Sequence, residues 1–288
     1  EEAEGHLSVW RRTSQSLELV GIASTGGAHP CHVFVHGATS TALVANYTSG
    51  SLAVIQLDAD GIPTADAPQQ VFAFEGSGPD PERQDAPHAH YVLPDPTGDR
   101  ILVTDLGADL VHRFRFDPAQ RRLTADGVAL RLPPGTGPRH AVFSADGKQL
   151  YVLGELDGRL HTIAWDAPSA TGLVTDSDPI EPGAPNPTTP AHVVLGPGRL
   201  EIGVRGGDRI VSHCIDDPGK PTCLGGIGLP GAGPRHHAIV DGWLVVAQQK
   251  HGGVVAVGPG GVVSGTAPIP SPACILPSSA SPTFEAKP

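Results

Sequence analysis

The segment GPRHAVFSADGKQLYVLGELDGRLHTIAWD, residues 137–166, contains most of one repeat unit and decides the fold. It holds three short runs rich in apolar residues, and turn-forming residues such as Gly, Asp and Ser separate them. Short runs between such turn residues are typical of β-strands, and no stretch with helical periodicity competes with them. The segment therefore predicts three antiparallel strands joined by tight turns, with a weaker fourth strand to follow.

The beginning of this unit recurs along the chain as the tripeptide proline, any residue, histidine. The intact copies are Pro30-Cys31-His32, Pro138-Arg139-His140, Pro190-Ala191-His192 and Pro234-Arg235-His236. His88-Ala89-His90 fits the same place with the proline replaced, and Pro272-Ala273-Cys274 is a degenerate last copy. A period of roughly 40–50 residues is that of a propeller blade of four strands. The sequence thus predicts an all-β fold, a β-propeller of four-stranded blades.

The units do not divide the chain evenly. Five units, which begin at positions 30, 88, 138, 190 and 234, have all four strands. Residues 6–12 and 17–24 resemble the last two strands of an earlier blade, and residues 272–277 resemble a first strand. Either the two ends of the chain together build one imperfect blade, which gives a propeller of six blades, or an N-terminal segment is missing and the intact protein has seven blades. We predict one propeller domain over residues 1–277 and a C-terminal tail over residues 278–288.

Composition limits the classes of partner. The chain of 288 residues carries a formal net charge of -11, which argues against nucleic acid and anionic membrane surfaces as partners. It lacks an apolar run long enough to span a membrane and has neither a signal peptide nor a lipidation motif, so we predict a cytoplasmic protein.

Cys214 and Cys223 could form a disulfide, but free thiols are favoured. The oligomeric state stays open.

Polar residues at two repeated positions predict a ligand site. Antiparallel pairing puts the start of each first strand and the end of each second strand at the same mouth of the central channel. The histidines of the repeat lie there, together with Arg139 and Arg235. The position that follows each second strand joins them and varies without a turn-like preference: Tyr47, Leu106, Glu155, Arg205 and Gln249. A purely structural turn would repeat one residue type, so this variation favours ligand contact.

Each group of residues also has a structural explanation. A histidine present in every unit is favoured as a scaffold residue, with His90 as the exception because His88 precedes it at two-residue spacing on the same strand face. Three arginines at the mouth favour anion binding over surface ion pairs. A metal is disfavoured because the mouth has few oxygen ligands besides Asn46 and Asp105. No serine elbow or phosphate loop is present, and we expect neither a metal nor a cofactor.

Several motifs together resemble the lactonase family of seven-bladed propellers, which includes propeller-type 6-phosphogluconolactonases and the fungal carboxy-cis,cis-muconate cyclase. They are VANY at residues 44–47, APHAH at 86–90, DLGAD at 105–109, GPRH at 137–140 and GELD at 154–157. The resemblance implies seven blades, with about one blade ahead of Glu1, and catalytic roles for His90, Arg139, Glu155 and Arg205. The sequence departs from the family at Gly154 and Val204, where asparagine is common.

The predicted substrate is a sugar δ-lactone or a sugar acid, and no other partner is expected. The predicted substrate-binding residues are His32, Asn46, Tyr47, His88, Asp105, Arg235, His236 and Gln249. In lactone hydrolysis, Glu155 or His90 would activate water, and arginines would stabilise the oxyanion or hold an anionic group. Two alternatives remain: a lactone-forming cycloisomerase that acts on a muconate-like dicarboxylate, and a non-catalytic propeller that binds a sugar acid or a protein.

Overall fold

The computed structural model describes residues 4–184 and 188–277, so the predicted tail and the first three residues lie outside the described chain. Within these ranges the protein consists of β-strands and one turn of 3-10 helix, Gly37–Thr39. No helix in this part of the chain has the length and apolarity to cross a membrane. The first two strands, β1 (His6–Arg12) and β2 (Leu17–Ser24), form a two-stranded antiparallel sheet.

Five sheets of four antiparallel strands follow, each with its strands in chain order, and we number them as blades 1 to 5. Blade 1 contains β3 (Pro30–His36), β4 (Thr41–Asn46), β5 (Ser51–Gln56) and β6 (Gln70–Ala73). Blade 2 contains β7 (Ala89–Pro94), β8 (Arg100–Asp105), β9 (Leu110–Asp117) and β10 (Arg122–Arg131). Blade 3 contains β11 (Pro138–Phe143), β12 (Gln149–Gly154), β13 (Arg159–Asp166) and β14 (Thr171–Pro179). Blade 4 contains β15 (Pro190–Gly196), β16 (Arg199–Val204), β17 (Arg209–Cys214) and β18 (Thr222–Gly228). Blade 5 contains β19 (Pro234–Val240), β20 (Trp243–Gln248), β21 (Gly253–Val257) and β22 (Val263–Pro268).

The hydrophobic core lies between the faces of adjacent blades. Leu102 and Val111 of blade 2 pack in one cluster with Leu150 and Ile163 of blade 3, and all four are fully buried. Truncation of such a leucine to alanine typically costs about 2–5 kcal/mol of unfolding free energy. The first strands β3, β7, β11, β15 and β19 are neighbours in that order around the central channel. This arrangement confirms the predicted propeller of four-stranded blades.

Strand pairing corrects the predicted register in blade 2. In the other four blades the proline of the repeat pairs with the last residue of the second strand, as Pro138 pairs with Gly154. In blade 2 the residue in this position is Ala89, which pairs with Asp105. The unit is therefore Ala89-His90-Tyr91, and the sequence-based alignment as His88-Ala89-His90 is wrong by one residue.

The C-terminal segment 272–277 is not a strand, because it pairs with no strand of the described chain. The N–H of Ile275 donates a hydrogen bond of 3.2 Å to Nδ1 of His236. The N–H of Val92 donates one of the same length to Nδ1 of His32, one blade ahead of it. The segment therefore lies beside blade 5 where the first strand of a following blade would lie.

All four cysteines are free thiols, and Cys214 and Cys223 lie on the paired strands β17 and β18.

Candidate active site

A cavity of about 650 Å³ opens at the channel mouth where the first strands begin and the second strands end. Of the twelve residues predicted for the site, seven line it: Tyr47, His90, Arg139, Glu155, Arg205, Arg235 and Gln249. Six further residues line it that were not predicted: His29, Pro30, Cys31, Arg83, Ala273 and Cys274.

Two positions of the repeat supply most of the cavity wall, although Ala191 and Leu106 hold these positions without lining it. One is the second residue of the first strand, which is Cys31, His90, Arg139, Ala191 or Arg235 in blades 1 to 5. The other is the residue after the second strand. Its backbone N–H donates to the carbonyl of the residue that precedes the first strand, at 2.9–3.0 Å in every blade: Tyr47 to His29, Leu106 to His88, Glu155 to Gly137, Arg205 to Thr189 and Gln249 to Gly233. A repeated backbone hydrogen bond thus fixes side chains of different chemistry around the mouth.

Glu155 lies at the centre of a cluster of three arginines. Its Oε2 is 2.6 Å from Nε of Arg139 and 2.8 Å from a terminal nitrogen of Arg205. Its Oε1 accepts a hydrogen bond of 2.8 Å from Arg83. Both carboxylate oxygens are therefore occupied, and the side chain is buried.

Burial and charge act in opposite directions on this cluster. Burial alone would raise the pKa of Glu155, but Arg139, Arg205 and Arg83 outweigh it and lower that pKa, so the group is a carboxylate. Burial lowers the pKa of Arg139 to about 9, against the stabilising charge of Glu155, and leaves it a cation at neutral pH. Arg139 also donates to the backbone carbonyl of Ala191 in the next blade, and its own carbonyl accepts from Thr104 Oγ1 at 2.8 Å.

His90 supplies a neutral imidazole beside this charged cluster. Burial, and then the charges of Arg139 and Arg235, lower its pKa well below the ordinary value. Its Nδ1 is buried and makes no hydrogen bond within residues 4–184 and 188–277. Nε2 is therefore the ring nitrogen that can reach a ligand in the cavity. The ring of Tyr47 packs edge-on against His90, with 5.9 Å between ring centroids.

Tyr47 links the neutral and charged parts of the wall. Its ring stacks on His88, with centroids 4.4 Å apart and planes 6° apart. Nδ1 of His88 is 3.0 Å from the carbonyl oxygen of Tyr47, which assigns the proton to Nδ1. The phenolic oxygen of Tyr47 accepts a hydrogen bond of 3.2 Å from Arg83. His88 does not line the cavity itself, but its ring packs against the ring of Tyr47, which does.

Arg83 is a residue of the cavity wall that the sequence analysis missed. It lies in residues 74–88, the longest connection between two blades. Oδ1 of Asp80 accepts from the N–H groups of Glu82 and Arg83, and the fully buried Gln84 donates to Leu106 O and Asp109 Oδ1. These bonds hold Arg83 over the cavity, where Glu155 and Tyr47 raise its pKa despite partial burial. The length of this connection was the available signal, since long loops often carry function.

Four of the predicted substrate-binding residues have structural contacts instead and do not line the cavity. Asn46 is fully buried and donates to Thr25 O and Ser51 Oγ at 3.1 Å each. Asp105 is also fully buried, and its Oδ1 accepts from three backbone N–H groups while its Oδ2 contacts His112 at 3.0 Å. His32 and His236 each accept the interblade N–H bond described above. These contacts bind the four side chains to other parts of the protein.

Gly154 shows how the protein compensates for one of its departures from the family pattern. A Cβ at this position would lie 2.0 Å from Oδ1 of Asp157. Asp157 Oδ2 contacts His161 at 2.9 Å, as Asp105 contacts His112 one blade earlier. The carboxylate that faces this histidine therefore comes from position 157 in blade 3, and glycine leaves room for it.

Below the cavity, the third position of each first strand fills the channel with rings. His32, Tyr91, His140, His192 and His236 occupy this position, with centroids 3.8 Å apart for His192 and His236 and 4.3 Å apart for Tyr91 and His140. Burial lowers the pKa of His32 to about 3 and that of His236 to about 4, and it lowers the pKa values of His140 and His192 well below the ordinary value. The channel floor is therefore a stack of neutral rings.

No group of three His, Cys, Asp or Glu side chains in the described part of the chain has the arrangement of a metal site.

The model of the family described as lactonase, 7-bladed beta-propeller, matches residues 1–259. The chain belongs to this lactonase family. Its cavity is lined by His90, Arg139 and Glu155, which belong to the motifs APHAH, GPRH and GELD.

Relatives in the lactonase family differ in how much of their length the chain covers. A 6-phosphogluconolactonase of Bacillus subtilis is 27% identical over 95% of this chain and 81% of its own length. One of Formosa agariphila is 31% identical, but that match spans 57% of this chain and only 47% of the relative. The solved structure of a periplasmic gluconolactonase of Pseudomonas aeruginosa is 26% identical, with a TM-score of 0.85 over 95% of this chain and 80% of that one.

Proposed function

We propose that this lactonase-family protein hydrolyses a sugar δ-lactone at the channel mouth, as a 6-phosphogluconolactonase does. The observation that carries the proposal is the buried Glu155 carboxylate, which holds three guanidinium groups beside the neutral imidazole of His90 in one open cavity. Guanidinium groups in a buried site stabilise the negative charge that develops on a carbonyl oxygen. A neutral imidazole can accept a proton from water. The names of the relatives from Bacillus and Formosa support the same substrate class.

We assign different roles to the two candidate bases. Glu155 is a poor base because arginines occupy both of its oxygens, so neither oxygen is free to face a water molecule. We assign it to positioning the arginines. His90 then takes the proton from water as the water oxygen attacks the lactone carbonyl carbon. Arg205, which is more open to the cavity than Arg139, donates to the oxyanion of the tetrahedral intermediate. When the ring C–O bond breaks, His90 returns the proton to the leaving alkoxide, which yields the open hydroxy acid.

The test is the hydrolysis rate of 6-phosphoglucono-δ-lactone, corrected for spontaneous opening. We expect an enzymatic rate that falls at least about 100-fold in Arg139→Ala and in Glu155→Gln. Glu181→Gln is the matched control, because Glu181 also pairs with an arginine, Arg209 at 2.6 Å, but away from the cavity. Wild-type rates in both site variants, with the fold intact by circular dichroism, would exclude this site.

The two other functions give different results in the same experiment. A cycloisomerase would leave the sugar lactone untouched and remove the diene absorbance of a muconate-type dicarboxylate. A binding protein without catalysis would be stabilised thermally by 6-phosphogluconate and turn over neither compound. The cytoplasmic location and a role in the pentose phosphate pathway stay predictions that cell fractionation and a deletion strain would test.

A further inference from the structure

The cavity wall divides into a paired part and an unpaired part. Blades 2 to 4 supply His90, Arg139, Glu155 and Arg205, and Glu155 holds both of these arginines. Blade 5 supplies Arg235 and Gln249 at the same two repeated positions. Within residues 4–184 and 188–277, the side chains of Arg235 and Gln249 make no hydrogen bond or ion pair, although both line the cavity.

The charges in the cavity are unbalanced. Four arginines line it, Arg83, Arg139, Arg205 and Arg235, and Glu155 is the one carboxylate among the lining residues of the described chain. A partly buried cation without a counter-charge loses hydration and gains nothing in return unless a ligand supplies the anion. Burial and the nearby charge of Arg205 lower the pKa of Arg235. This imbalance stands out in a chain whose net charge is -11.

We infer that Arg235 and Gln249 form an anion subsite that holds the phosphate of a phosphorylated sugar lactone while the lactone carbonyl lies at His90 and Arg205. This inference rests on the proposed function and extends it to the choice of substrate. Arginine suits the role because its planar donors match two phosphate oxygens, and the Gln249 amide can donate to a third. Arg235 is the second residue of strand β19, and the N–H of Gln249 donates to the carbonyl of Gly233, so the backbone holds both residues at the mouth.

The cavity also has the size that such a ligand needs. Its volume of about 650 Å³ lies within the range of small-molecule sites, roughly 300–1,000 Å³. His90 on blade 2 and Arg235 on blade 5 line the same cavity from blades that are not neighbours in the strand order. One ligand with a lactone carbonyl and an anionic group can therefore contact both.

The experiment compares two substrates, 6-phosphoglucono-δ-lactone and glucono-δ-lactone, with the wild type, Arg235→Gln, Arg235→Lys and Gln249→Ala. Because only the phosphorylated lactone loses a hydrogen bond to a charged group, the ratio of kcat/KM for the phosphorylated over the plain lactone should fall about 10- to 100-fold in Arg235→Gln. Arg235→Lys should recover part of the ratio, and Gln249→Ala should lower it less. Arg115→Gln, which changes an exposed arginine of blade 2, is the control and should keep the ratio.

A second measurement separates this inference from the proposed function. Thermal stabilisation by 6-phosphogluconate needs no catalysis, and we expect Arg235→Gln to abolish it. If the wild type hydrolyses neither lactone but binds 6-phosphogluconate through Arg235, the subsite holds and the proposed activity fails. If Arg235→Gln lowers kcat/KM equally for both lactones, or leaves both the ratio and the binding unchanged, the anion subsite is wrong.

Discussion

His90 and Arg139 occupy equivalent positions in adjacent blades. Each is the second residue of its first strand, and each lines the same cavity. The repeat therefore presents side chains from adjacent blades to one cavity, and the residue type at that position decides the chemistry of the cavity wall. An imidazole next to a guanidinium here provides a proton acceptor and a cation without any change in the backbone.

We expect His90→Phe to lower lactone turnover about 10²- to 10⁴-fold, because phenylalanine keeps the ring volume but has no nitrogen to accept a proton. Folding should be retained, since Nδ1 of His90 makes no hydrogen bond in the described part of the protein. The matched control is His140→Phe, which changes a neighbouring buried imidazole that does not line the cavity. Equal losses in the two variants, measured by steady-state kinetics, would remove His90 from the chemistry.

Arg83→Ala should reduce kcat/KM about 10-fold with little effect on stability. Its side chain is 41% exposed, and an ion pair of this kind contributes at most about 1 kcal/mol to folding. The loss in activity follows because Glu155 and Tyr47 both lose a donor that faces the cavity. Kinetics and urea unfolding of the same preparation test the two halves of this prediction. A variant with full activity would place Arg83 outside the working site.

Acidification should destabilise the protein through its buried histidines. Burial lowers the pKa of His237, which is 1% exposed, from 6.5 to about 4. Below pH 6.5 the unfolded chain therefore binds protons that the folded protein excludes. The free energy of unfolding should be highest above pH 6.5 and fall towards pH 4, by about 1.4 kcal/mol per pH unit for each such histidine.

Urea unfolding at several pH values between 4 and 8 measures this slope. His237→Phe should flatten it by the share of one histidine, and His251→Phe, at an exposed turn, should leave it unchanged. A slope that His237→Phe does not alter would contradict the assignment.

Gly154→Asn, which introduces the residue common in the family, should destabilise this protein by about 1–3 kcal/mol. The new Cβ would overlap Oδ1 of Asp157, a short side chain that is already bonded to the N–H of Arg159. Removal of that carboxylate in Gly154→Asn/Asp157→Ala should recover part of the loss. Thermal unfolding of the single and double variants tests this, and additive losses would show that the two positions do not interact.

Part of the site could be predicted from the sequence because it rests on the repeat. Tyr47, Glu155, Arg205 and Gln249 all follow a second strand, and the position relative to the strand is countable in the printed sequence. Asn46 and Asp105 sit one residue earlier and differ in outcome, since their side chains turn into the blade and bond there. A shift of one residue along a strand reverses the direction of the side chain, and composition alone does not show which side faces the ligand.

The sequence by itself determined the strands, the blades and the mouth at which the residues of the cavity gather, because alternation and turn chemistry act over a few neighbouring residues. Only the tertiary structure decided the register of blade 2, the approach of Arg83 to Glu155 across 72 positions of chain, and the unpaired state of Arg235 within the described chain. These depend on how blades and a long loop pack in space. The sequence shows which side chains are charged, but only the distances in the folded protein show which charges pair with one another.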